Sequence, residues 1–297
     1  MNKILCSTGT IVGRACGYKY SLIKEHIPSL LKNGLIDGME FMMIPFYYDK
    51  LDKISNLLIS CDVPTPIIHC EKDIGVMLSD GDDFITNDAF KLLIKNCEIG
   101  KEIGAEKMVF HLWGGSKSDS NIEYNISKLP KINEIVSSYG LKLLIENIPC
   151  TNNSGLQNWR RLYKFLPQIG FIFDTRFGAF HDEIDEILDE PIWNDISHIH
   201  ISDYSSFPRD FSKIRPILHP GEGVIDFDKI FNGLKKNNYT GSITLESPVM
   251  IPDGADIEKL KASLIYIKNK IEMWFLFIIS IVNIVSIAPQ APSVCPV

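Results

Sequence analysis

The chain has 297 residues, 45% hydrophobic and 23% charged, with a formal net charge of -7. That length suits one large α/β domain, and the apolar content supplies a core and argues against wholesale disorder. The acidic balance weighs against a nucleic-acid binder, whose phosphate contacts need a basic face, and is neutral toward a small polar substrate.

In chain order, short β-rich apolar runs alternate with longer helical stretches. Candidate strands fall at 3–7, 38–43, 66–69, 107–112, 142–146, 170–174, 198–202 and 242–246. Helical periodicity lies between them, carried by Leu22, Ile27 and Leu31, by Leu92, Ile94 and Ile99, and by Ile257, Leu260, Leu264 and Ile267. Strands alternating with helices imply βαβ units and a parallel sheet, and eight such units predict a single (β/α)8 TIM barrel over residues 1–272. No GxGxxG follows the first strand and no GxxxxGK[ST] occurs, which argues against a dinucleotide or P-loop fold. Two connections follow strands and should lie at the C-terminal mouth of the barrel: the stretch around Trp113-Gly114-Gly115, and residues 203–224 with Arg209, Arg215 and the turn Pro220-Gly221-Glu222-Gly223.

Residues 273–297 form an apolar C-terminal tail, beginning MWFLFIISIVNIVSIA. The run is shorter than the ~20 residues a spanning helix needs. It reads as a helix buried against the barrel or a partner subunit, or as a terminus foreign to the native domain, ahead of a membrane anchor; a homo-oligomer is left open. The seven cysteines (Cys6, Cys16, Cys61, Cys70, Cys97, Cys150 and Cys295) are odd in number and include no CxxC pair. The N-terminal MNKILCSTGT lacks an apolar leader, so free thiols and a cytoplasmic location are expected.

The chemistry is concentrated at the strand ends. Strands three to eight carry His69, His111, Glu146, Asp174, His200 and Glu246 in turn. A closed parallel barrel points all six toward one mouth. One acidic residue after an apolar run is ordinarily a cap or a turn, but six in succession are not explained that way. Carboxylates gathered near a packed interior repel unless paired or metal-bound. Three carboxylates with one imidazole make a hard, oxygen-rich set for one divalent cation, Mn2+, Zn2+, Co2+ or Mg2+. His69 and His111 read either as a second metal position or as substrate contacts. His198, two residues before His200, reads as a structural histidine deeper in the barrel.

At these positions the sequence resembles the xylose isomerase-like TIM barrel superfamily, and within it the sugar phosphate isomerase/epimerase members. The resemblance rests on GMEF at 38–41, IIHC, VFHLWGG, LLIEN, FDTRFGAFH, HIHISD, LHPGEGVIDF and ITLES. It implies that Glu146, Asp174, His200 and Glu246 hold the metal, and that the enzyme isomerises or epimerises a ketose or hydroxy-ketone through an enediolate. Glu146 and Glu246 would be the catalytic pair, one removing an α-proton and the other returning it. Supporting substrate contacts are expected from Glu40, Trp113, Arg176, His181, Arg209, Arg215, His219 and Glu222, with the arginines suited to a phosphate or a carboxylate.

The superfamily also holds endonuclease IV-type nucleases that use three zinc ions on abasic DNA. Their pattern wants a histidine three residues after the strand-six aspartate, where this chain has Phe177, and an Asp-x-His before the GEG turn, where it has Arg215-Pro216-Ile217. Phe177 departs from many epimerases as well, and His181 is the candidate to reach in instead. A zinc phosphodiesterase and a non-catalytic metal-binding barrel are therefore the competing classes.

Overall fold

The computed structural model of the chain describes residues 2–114 and 118–285. Eight parallel strands close into a barrel in sequential order: β1 (Ile4–Ser7), β2 (Gly38–Met42), β3 (Ile67–His69), β4 (Lys107–Phe110), β5 (Lys142–Glu146), β6 (Gly170–Asp174), β7 (Ile196–Ile201) and β8 (Ser242–Leu245). The last strand pairs with the first, Leu5 opposite Thr244, so no edge is left open. Each strand lies within two residues of its expected position. The largest shifts are in β4, which ends at Phe110 rather than 112, and in β7, which starts at Ile196 rather than 198.

Helices α1 (Ser21–Lys32), α2 (Leu51–Ser60), α3 (Ile74–Leu78), α4 (Asp83–Glu102), α5 (Ile122–Ser138), α6 (Gly155–Phe165), α7 (Thr175–His181), α8 (Ile184–Asp189), α9 (Phe227–Lys236) and α10 (Ile257–Val285) provide the crossovers. Several begin on side-chain caps: Asp82 accepts from the Phe84 and Ile85 amides, Ser154 from Gln157, and Asp226 from Lys229. The buried stripe of α10 is Leu260, Leu264 and Ile267, as its periodicity predicts. In α4 the buried stripe is Ala89, Leu93, Cys97 and Gly100, with Leu92 and Ile94 only flanking it. Apolar residues at five of the six positions from Ala89 to Ile94 make the phase of that helix ambiguous in sequence, and packing against β3 selects it: the Gly100 position leaves room for Ile68 and Leu141 side chains. A short hairpin, β9 (Met250–Ile251) with β10 (Gly254–Ala255), precedes α10.

Strand side chains alternate between outside and inside. Outward residues pack on the helices in the main core. Inward, Leu5, Ile67, Val109, Leu144 and Ile172 form a separate, fully buried cluster that plugs the barrel. Two residues further along β3, β5 and β6 stand His69, Glu146 and Asp174, and the neighbouring β2 and β7 add Glu40 and His200, all buried. The polar cluster thus sits on an apolar floor and faces the C-terminal mouth.

Of the tail, α10 continues to Val285, and 286–297 lie outside the described residues. Among the described residues no helix is long and apolar enough to cross a membrane. The six cysteines from Cys6 to Cys150 are free and buried.

Candidate metal centre at the barrel mouth

Four strands bring Glu146, Asp174, His200 and Glu246 together, with one ligand atom from each within 4.8 Å of the others. Asp174 ends β6 and caps α7: its Oδ1 accepts from the Phe177 amide at 3.0 Å, which leaves Oδ2 without a hydrogen-bond partner. Its backbone is locked to the neighbouring strand by Asn147, which accepts from the Asp174 amide at 2.7 Å and donates to its carbonyl at 3.1 Å. His200 presents Nδ1 2.8 Å from Glu146 Oε1 and 3.5 Å from Glu246 Oε2. Glu146 Oε2 and Glu246 Oε1 are buried and lack hydrogen-bond partners.

A second group shares Glu146. His69 donates from Nδ1 to the Cys70 carbonyl at 2.8 Å, turning Nε2 toward Glu146 Oε2 at 3.7 Å. His111 Nε2 touches the same carboxylate oxygen. The Nε2 atoms of both histidines lack a hydrogen-bond partner, although both are buried. Five buried, lone-pair-bearing atoms therefore converge without donors to satisfy them, a costly arrangement that a cation resolves. The donor set fits one divalent ion on the four-residue group, with room for a second on His69, His111 and Glu146.

Behind His200 lies a buried relay. Glu40, on β2, accepts from His200 Nε2 at 3.0 Å and from His198 Nε2 at 2.7 Å. His198 also meets Ser242 Oγ at 2.8 Å and Thr244 Oγ1 at 3.1 Å, which places it below the cluster as a structural residue. Glu40 is fully buried behind His200, which places it to orient that imidazole and away from a sugar hydroxyl at the surface.

Electrostatics follow from this crowding. Burial alone would raise the Glu146 and Glu40 carboxyls, but the neighbouring imidazoles hold both well below the usual carboxylate range. Against the burial that would lower it, His200 is held well above its ordinary value by Glu246, Glu40 and Glu146. Burial pushes Asp174 up to about 6, opposed by Arg176. His111 is driven down to about 4 by burial, which outweighs Glu146.

The remaining expected contacts divide. Arg176 is buried beside the cluster, its Nη2 3.9 Å from Asp174 Oδ2. It lines a cavity of about 450 Å3 together with His111, Phe177, Arg215 and Ile217. Phe177 and Ile217 thus face this cavity at positions where the nuclease pattern wants histidines. Trp113 does not wall the cavity: it is a core aromatic that donates from Nε1 to the Ile148 carbonyl at 3.1 Å. Its neighbour Gly114 does line it, and Gly115 lies outside the described residues.

His181 does not reach the cluster. Its Nε2 accepts from the Cys150 amide at 3.0 Å, and burial drives it down to about 4. Arg209 is exposed on its loop. His219 is committed to Ser263 Oγ at 2.6 Å and to the Pro248 carbonyl at 3.2 Å, and Glu222 is exposed and pairs with Lys259. These two hold the turn after β7 against α10 rather than touching a ligand.

Sequence reasoning gave no role to Asp203. Its buried carboxylate accepts from the amides of Tyr204, Gly221, Gly223 and Ile225, and so shapes the whole HPGEG turn. A Cβ at Gly223 would collide with the Tyr204 carbonyl and with this carboxylate. Asp119 was missed too: it accepts from the Thr151, Asn152 and Asn153 amides and ties the loop after β5 to the loop after β4. An aspartate directly after HIHIS was the available signal for the first; nothing local marked the second.

A sequence model of the xylose isomerase-like TIM barrel family matches residues 31–269. Among characterised relatives, an inosose isomerase of Halalkalibacterium halodurans is 28% identical over 126 residues, 41% of this chain and 44% of the relative. The chain thus spans about half the length of the curated relatives it matches. Among solved structures, the 3-keto-D-glucoside 4-epimerase of E. coli superposes with a TM-score of 0.65 at 17% identity, covering 91% of this chain and all 100% of the other. The IOLI protein with a bound zinc atom gives 0.64 at 16% identity, covering 90% and 96%. At these identities the structural likeness carries the fold.

Proposed function

Because this chain belongs to the xylose isomerase-like TIM barrel family, we propose that it is a divalent-metal-dependent isomerase or epimerase acting on a small ketose or hydroxy-ketone. The observation that carries the reading is the convergence of unpartnered, buried Glu146 Oε2, Asp174 Oδ2 and Glu246 Oε1 around His200. The named relatives, an inosose isomerase and a keto-glucoside epimerase, support the reaction class, and the zinc-bound neighbour supports a metal.

Glu146, Asp174, His200 and Glu246 would hold the cation, which supplies Lewis acidity to draw negative charge away from the substrate's carbonyl and hydroxyl oxygens. The chain's own residues do the rest. Glu146 and Glu246 come from β5 and the end of β8, so they approach the substrate from different sides. One takes the α-proton on a carboxylate oxygen, and the other delivers a proton to the opposite face or to the adjacent carbon. Glu40 fixes the ring of His200. The apolar floor keeps water from reaching the reacting carbon from below. Phe177 and Ile217 in the cavity disfavour the three-zinc nuclease reading.

The test is metal content with proton exchange. Protein purified without chelator should carry about one Mn, Co or Zn per chain on the four-ligand group. It should wash deuterium from D2O into the α-position of a ketose substrate. Glu146→Gln and Glu246→Gln should stay folded and lose turnover. Full activity in either variant removes its assigned role, and three zinc ions per chain would restore the nuclease.

A further inference from the structure

The cavity over the metal centre has a charge pattern that the rest of the chain does not. The chain carries 37 acidic residues against 30 lysines and arginines. Yet this cavity of about 450 Å3, which reaches the cluster at His111, is lined by Lys72, Arg176 and Arg215 against a single acid, the exposed Asp73. A smaller cavity of about 240 Å3, lined by Asp182, Asp185, Asp226 and Lys229, shows the ordinary acidic balance. The cations are gathered around this one cavity, Lys72 after β3, Arg176 after β6 and Arg215 after β7.

Their hydrogen-bonding state sharpens the point. Among the described residues neither Lys72 nor Arg215 has a carboxylate within ion-pair distance. Arg176 is buried and spends Nε on Ser202 Oγ at 3.3 Å and Nη1 on the Ile214 carbonyl at 3.2 Å. Its Nη2 makes no hydrogen bond with a described residue, and the carboxylate at 3.9 Å, Asp174, is the one assigned to the metal. With Asp174 turned to a cation, the buried guanidinium keeps its stacking on the Phe177 ring, 4.2 Å from the centroid, but has no carboxylate partner. Ile148, Phe177, Phe211 and Ile217 make up much of the remaining wall. Apolar surroundings of this kind strengthen any charge pair formed there.

We infer that the substrate bears an anionic group, a carboxylate or a phosphate, distal to its carbonyl, and that Arg176, Lys72 and Arg215 seat it in this cavity. The inference rests on the ketose isomerase reading above and narrows its substrate class. Guanidinium groups match the geometry of either oxyanion, while a neutral sugar would leave Lys72 and Arg215 without a carboxylate at ion-pair distance and Arg176 with only Asp174, the residue assigned to the metal.

The experiment is calorimetric titration of the Mn2+-loaded full chain at fixed ionic strength with two matched pairs of probes. One pair is D-ribulose and D-ribulose 5-phosphate; the other is D-tagatose and D-tagaturonate. At least one anionic probe should bind about tenfold or more tightly than its neutral partner, a difference of about 1.4 kcal/mol. The double variant Lys72→Ala/Arg215→Ala removes a half-buried and an exposed side chain and should fold. It should lose most of that preference. Whichever anionic probe shows the larger gain identifies the group. Equal affinities within each pair, no binding of any probe, or a preference that survives in the double variant overturns the inference. Deuterium exchange from D2O into the same probes tests the isomerase reading separately. Exchange on neutral ketoses alone keeps that reading and removes the anion, whereas anion binding without exchange does the reverse.

Discussion

Glu40→Gln separates the relay behind His200 from the ligands in front of it. The side chain is fully buried and accepts from His200 at 3.0 Å and from His198 at 2.7 Å. For His200 to bind a cation through Nδ1, its remaining proton must sit on Nε2, and Glu40 is the acceptor that holds it there. Glutamine keeps the volume and one acceptor oxygen but removes the charge. A hydrogen bond to a charged group contributes about 1.5–3 kcal/mol where a neutral one gives about 1, so the substitution should cost about 0.5–2 kcal/mol. That corresponds to a metal dissociation constant about twofold to thirtyfold weaker, reaching into the usual range for outer-shell partners. Competition against a chelating indicator reads the affinity, and far-ultraviolet circular dichroism reads the fold. An affinity unchanged within about twofold in a folded variant would show that Glu40 does not position the ligand, and the relay would then be packing alone.

Asp203→Asn should destabilise the protein by about 2–3 kcal/mol in urea and expose residues 204–225 to limited proteolysis, because four backbone amides lose their carboxylate acceptor; an unaltered midpoint and cleavage pattern would refute it. Gly223→Ala should give a similar loss, since the added methyl collides with the Tyr204 carbonyl; its test is the same denaturation curve. His181 is held at about 4, below its ordinary value of 6.5, mainly by burial, so the unfolded chain binds a proton there that the folded one does not. Its contribution is therefore complete above pH 6.5 and is lost as pH falls toward 4. His181→Gln should flatten the dependence of stability on pH in that window by up to one proton, and parallel curves for the two proteins would count against the assignment.

The barrel was legible because its signal is repeated eight times. Short apolar runs such as LLIE and FIFD alternate with helical periods, and each strand delivers its last inward residue to the same end. The clustering of Glu146, Asp174, His200 and Glu246 was legible for the same reason: strand ends in a closed barrel must converge, so spacing along the chain implies proximity in space. What escaped was interaction across the barrel. Glu40 lies 158 residues from His198 in sequence, and no local pattern joins them. Lys72 was not singled out, because a lysine after a histidine-bearing strand looks like any solvated charge until the cavity around it is seen. Local chemistry misled at His219 and Glu222, whose motif resembles binding residues while their side chains brace the turn.

The grip of Asp203 has a further consequence. Its amide donates to the Leu218 carbonyl and its carboxylate holds 221–225, so both ends of the intervening segment are anchored at one residue. From that segment come Phe211, Ile214, Arg215 and Ile217, a whole side of the cavity. Residues 205–217 are thus a cassette hung on a fixed clasp. Exchanging it would replace that side of the mouth while Glu146, Asp174 and His200 stay on their own strands, so the wall of the cavity and the cluster beneath it can vary independently.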